Sequence, residues 1–158
     1  MPISEVKAIE GSAQERQSGY LDSLETLSFE RKEVSLFHGK LKYAFHRQRL
    51  FYACYQLFYS NLDLIDMVRY IYLKQALLSK HGQSASMAGE DREIAETVLR
   101  AVEGLYPKVS DDALYWRLDD GTRALLLRAD SMLWIVYFQF DILTGVPGNE
   151  PGYDTSGL

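Results

Sequence analysis

Side chains able to do chemistry are thinly scattered along this chain, and few stand at spacings that would let them act together. Asp63 and Asp66 lie one helical turn apart, which puts two carboxylates on one helix face for acid and base work. The same pair would serve equally well as a solvated feature beside a helix cap. His38 and His46 are eight residues apart, His81 opens a small polar stretch, and Cys54 is the single cysteine. There is no Glu-x-x-His or Cys-x-x-Cys pair to hold a metal from adjacent turns, so neither a metal nor a cofactor is expected. Asp119-Asp120-Gly121 has the start of a calcium loop but not its alternating oxygen ligands or closing glutamate. No Gly-x-Ser-x-Gly and no glycine-rich phosphate loop occurs. Cys54, inside FYACYQLFY, reads as a small buried apolar residue with little thiolate character. A role other than catalysis is therefore favoured, and an enzyme using the Asp63/Asp66 pair is the last of the readings.

The 158 residues carry 22 acidic and 17 basic side chains, a formal charge of -5. A general attraction to nucleic acid or anionic membrane is not expected from that balance. Bases concentrate locally, however: Arg31, Lys32, Lys40, Lys42, Arg47 and Arg49 share their stretch with one acid, Glu33. Lys40, Lys42, Arg47 and Arg49, interleaved with Tyr43, Phe45, Phe51 and Tyr52, are the ingredients of a phosphate-binding helix with stacking aromatics. Against this, the apolar spacing draws most of those aromatics into a core.

The elements that must position these residues centre on Lys40 to Lys80, which has neither Pro nor Gly and is apolar on most sides of a helix. Such a helix belongs in the middle of a bundle. A single helix from Phe29 to Lys80 would be about 78 Å long at 1.5 Å per residue, too long for a compact domain of this size. A break is expected between Tyr59 and Asp63, with Ser60 or Asn61 as N-cap and a second helix over about Leu62 to Ser79. In helical projection Arg49, Tyr52, Gln56, Asp63 and Tyr70 fall on one stripe, with Tyr59 and Asp66 at its edge. Tyrosine and arginine are enriched where proteins bind one another, so the stripe reads as a partner-binding face.

Further helices are expected around Tyr20 to Leu27, from Phe29 to Leu41 with Gly39 as a kink, and over Glu90 to Leu105 before Pro107. Met132 to Leu143 is read as a helix capped by Asp130 or Ser131, although its aromatic and β-branched content also suits a strand. It spans about half of the roughly 20 residues a bilayer requires and contains Gln139 and Asp141, so no membrane segment is expected. Residues LYWRL and TRALLL on either side of Gly121 allow one short hairpin.

The expected fold is a predominantly α, single-domain bundle of about five or six helices over residues 19–145, between a flexible arm at 1–18 and a flexible tail at 146–158. No secretory leader is read at the start, and one cysteine fits a reducing compartment, so a soluble cytoplasmic protein is expected. Composition and the lack of chemical motifs favour a small acidic protein acting by contact with another protein, of inhibitor, immunity or adaptor type. A second copy of the chain could complete a homodimer. The alternatives are a sensor holding an apolar small molecule between Phe51–Tyr59 and Trp134–Phe140, and nucleic-acid binding through the basic helix 40–49.

Overall fold

The computed structural model describes residues 15–18, 24–34, 37–60, 62–87, 89–104, 109, 112–129 and 131–140, and over these the chain is built on one antiparallel sheet. Strands β1 (Glu15–Ser18), β2 (Leu24–Val34), β3 (Phe37–His46) and β4 (Arg49–Phe58) form a meander. Helices α1 (Leu64–His81) and α2 (Gly89–Glu103) follow. A second meander, β5 (Leu114–Arg117), β6 (Arg123–Ala129) and β7 (Met132–Phe138), then returns to the first. The strand order is β1-β2-β3-β4-β7-β6-β5, so the last strands of the two meanders meet in the middle, with Cys54 opposite Val136.

This overturns the expected all-α bundle. Lys40 to Phe58 is the hairpin β3–β4, Leu24 and Phe29 lie on β2, and Met132 to Phe138 is β7. The physical reason is that β4 and β7 are central strands with both faces covered, so their sequences are apolar throughout and lose the period of two that marks a half-buried strand. Length and composition then imitate a buried helix. Leu24 and Leu27, read as one helix face, point to opposite sides of β2 and are both fully buried. Three elements of the sequence reading do appear: α1 follows a break after Ser60, α2 lies where a helix is expected over Glu90 to Leu105, and the hairpin about Gly121 is β5–β6. Residues 1–14 and 146–158 of the expected arm and tail lie outside the described residues, whereas 15–18 pair with β2.

The two helices cover opposite faces. Ala95, Val98, Leu99 and Val102 of α2 pack on Tyr52, Cys54, Leu125 and Val136. Leu73 and Leu77 of α1 pack on Leu57, Trp116, Leu126 and Ile135. Each large apolar side chain buried this way contributes about 1.5–3 kcal/mol, so the layered packing holds the fold. Helix α1 starts where the Asp63 carboxylate accepts from the backbone N–H groups of Ile65 and Asp66, at 2.9 and 3.4 Å. It stops at Gly82, whose φ of 85° suits a residue without a Cβ, while the Gly82 N–H donates to Leu78 O at 2.8 Å.

Two local irregularities shape the long hairpin. Register shifts between Phe29 and Lys32, directly opposite Gly39, and a Cβ at Gly39 would stand 2.0 Å from Gln56 O. A second shift at Ala44/Phe45 leaves Phe51 as the extra residue on β4, and Phe51 and Tyr52 are consecutive yet both buried. No helix among the described residues is long and apolar enough to cross a membrane.

Candidate functional site

The seven residues grouped by helical projection are distributed over two kinds of element. Arg49 begins β4 opposite His46, and Tyr52, Gln56 and Tyr59 are buried, exposed by 1, 4 and 7 %. Asp63 caps α1, and Asp66 accepts from the Ser60 N–H at 3.0 Å and pairs with Arg69 at 3.6 Å. Tyr70 packs on Tyr59 with ring centroids 5.8 Å apart, and the Arg128 guanidinium sits 4.8 Å above its ring. One stripe does not exist, because a strand turns its side chains by a half-turn per residue and α1 starts only after the cap.

The basic group is likewise not a helix. Lys40 and Lys42 sit on β3, and Arg47 occupies the exposed turn before Arg49. At about 3.3 Å per residue, Lys40 and Arg47 are roughly 23 Å apart, too far to converge on one phosphate. Lys42 is also engaged: its Nζ lies 2.8 Å from Glu103, at the end of α2.

That glutamate is the centre of a largely buried polar network. Besides Lys42, its carboxylate accepts from Tyr52 Oη at 3.0 Å and Gln56 Nε2 at 3.3 Å. Burial, and then the neighbouring Cys54 and Glu103, push the Tyr52 hydroxyl well above the ordinary phenol range. Burial followed by the Glu103 charge pushes the Cys54 thiol up as well, so the sulfur keeps its proton and is a poor nucleophile. A carboxylate with three donors has little capacity left for a substrate, and the network reads as the polar tie between α2 and the sheet.

A second network gathers at the other end of α2. Asp91 pairs with Arg117, accepts from Tyr115 Oη at 3.2 Å, and lies 3.5 Å from Arg123. The Arg123 Nη1 atom is enclosed and makes no hydrogen bond, so charge alone ties it to Asp91. The sequence reading missed this cluster, although a hairpin centred on Gly121 pairs Arg117 with Arg123 and so sets the two guanidinium groups side by side. At the end of α1, His81 Nε2 lies 3.1 Å from Tyr137 Oη and the imidazole packs on Trp116. Burial, then Lys80, lowers the His81 pKa, while burial, then Tyr55, raises that of Tyr137, so a neutral pair is favoured.

Comparison with protein-family models, curated proteins and solved structures finds no match. The functional reading therefore rests on this geometry alone. No group of three or more metal-ligating side chains is present among the described residues. One cleft of about 220 Å³ is lined by residues that include Phe51, Tyr52, Thr122, Tyr137, Phe138 and Gln139, and another of about 230 Å³ by Arg117, Arg123 and Phe140 among others. Both fall below the ordinary small-molecule range of about 300–1,000 Å³.

Among the described residues, large exposed apolar side chains concentrate on the outward side of α1. Leu64 is 70 % exposed, Ile65 60 %, Val68 44 %, Ile71 53 % and Tyr72 65 %, with Leu62 at 92 % just before the helix. The signal was in the sequence as a helix apolar nearly all round. The sequence reading places the apolar residues inside and the exposed face at Asp63, Asp66 and Tyr70, whereas α1 buries the side of Tyr70, Leu73 and Leu77 and exposes the apolar one.

Proposed function

We propose that this protein acts by contact with protein, as an adaptor or inhibitor does, through the outward side of α1. The exposed apolar stripe carries the reading. At about 200 Å² for each fully exposed large apolar residue, Leu62, Leu64, Ile65, Met67, Val68, Ile71 and Tyr72 together present roughly 800 Å². A typical monomer's largest apolar patch is about 300–600 Å². Covering this one at about 25 cal/mol per Å² is worth on the order of 20 kcal/mol, set against association costs of about 4–15 kcal/mol. Asp63 at the start of α1 borders the surface, and Tyr72 supplies an aromatic anchor. One cysteine in the sequence, Cys54, suits a reducing compartment such as the cytoplasm.

The test compares the full chain with an Ile65→Asp/Tyr72→Asp variant, each immobilised and incubated with extract of the source cells plus a separately tagged copy of the chain. Stoichiometric retention of a protein, whether another copy or a different chain, by the wild type and its loss from the variant is expected. Equal retention by both would remove α1 from the reading, and retention of nothing would remove the reading itself.

A further inference from the structure

We infer that the occupant of this surface is a second copy of the chain, packed through α1 about a two-fold axis with the helices antiparallel; the inference rests on the contact reading above. Turned at 100° per residue, Leu64, Val68, Ile71, Gln75 and Ser79 form the outermost line of α1. The charged residues Asp66, Arg69, Lys74 and Lys80 all fall on the flanks or the inward half. A surface without charge leaves no repulsion when it meets itself.

Side-chain size then selects the direction. The outward line carries its bulky Leu64 at the first residue and its small Ser79 at the last, with Val68 and Gln75 of similar volume between them. An antiparallel pair with its axis between Ile71 and Tyr72 sets Leu64 against the second copy's Ser79 and Val68 against its Gln75. A parallel pair would crowd one end and leave the other open. Electrostatics agree: α1 has Asp63 at its start and Lys80 at its end, so antiparallel packing lays an acidic end beside a basic one and opposes the two helix dipoles. The available area of roughly 800 Å² per protomer equals what a standard-size interface buries on each partner. A two-fold axis closes the assembly at two, as isologous contacts do.

Light scattering on the purified full chain at micromolar concentration decides the oligomer, and disulfide trapping decides the geometry. Twice the 18.1 kDa chain mass is expected for the wild type, and the single mass for Ile71→Glu with an unchanged circular dichroism spectrum. Cys54 is buried, so new surface cysteines report alone. Tyr72→Cys should link to itself, and a mixture of Leu64→Cys with Ser79→Cys should link, while Leu64→Cys by itself should not. Self-linking of Leu64→Cys, or a dimer that survives Ile71→Glu, would overturn the arrangement. A monomeric wild type that still retains a different protein through this face would overturn the second copy and leave the contact reading standing. A monomer that retains nothing would overturn both.

Discussion

At the scale of single residues, Glu103 shows how a buried charge is tolerated. The Glu103 and Lys42 side chains are 8 and 15 % exposed, and Tyr52 and Gln56 add two hydrogen bonds to the carboxylate. Replacing Glu103 by Leu leaves an ammonium group enclosed without its partner, and a loss of about 2–4 kcal/mol in urea unfolding is expected. Adding Lys42→Met to that variant should recover most of the loss, since the stranded charge, not the missing pair, is the cost. His81 and His46 give a pH dependence of definite sign. Burial, assisted by Lys80 and Arg47 respectively, lowers both below the ordinary value of 6.5, so the unfolded chain takes up protons first on acidification. Their contribution to stability is complete above pH 6.5 and is lost as the pH falls through the folded values. Urea midpoints should therefore drop between pH 7.5 and 5.5, and less so in a His46→Gln/His81→Gln variant. The sequence disclosed the character of Cys54 well, because burial follows from apolar neighbours. It did not disclose the Glu103 network, whose members are distant in sequence and are brought together only by the sheet.

At the scale of elements, Gly39 changes meaning with its surroundings. In a helix it would be a mild weak point, but on β3 it is where the backbones of β3 and β4 come too close for any side chain. Gly39→Ala must push the strands apart at Gln56, and a destabilisation of about 1–3 kcal/mol is expected by chemical denaturation. Full stability in that variant would show that the close approach is not required. The β3–β4 hairpin was hidden for a related reason. Its turn residues Arg47 and Gln48 have φ of 49° and 65°, conformations that favour Asn and Gly, so the strongest short-range hairpin signal is missing. In β6–β7 the turn residue Ser131, with φ of 62°, imitated a helix cap. Helix α2 was legible because one face is apolar and its first turn is acidic, a pattern that only a helix on a surface produces.

At the scale of the whole molecule, the amount of apolar surface is legible in the residues but its destination is not. Both central strands and α1 are apolar nearly all round. For β4 and β7 this reflects cover on two faces, while for α1 it reflects cover on one side and exposure on the other. Nothing in a single chain's composition separates those cases; only the count of layers does. The join between the two meanders also sets the order of events during synthesis. Tyr52–Phe58 pairs with Met132–Phe138, roughly eighty residues later, and non-local pairing of that kind is slow to form. At about 5–20 residues per second, β4 waits on the order of ten seconds for β7 to be made. Through that interval the nascent chain holds an apolar strand with one row of hydrogen-bonding groups unspent, and any neighbouring chain at the same stage competes to fill it.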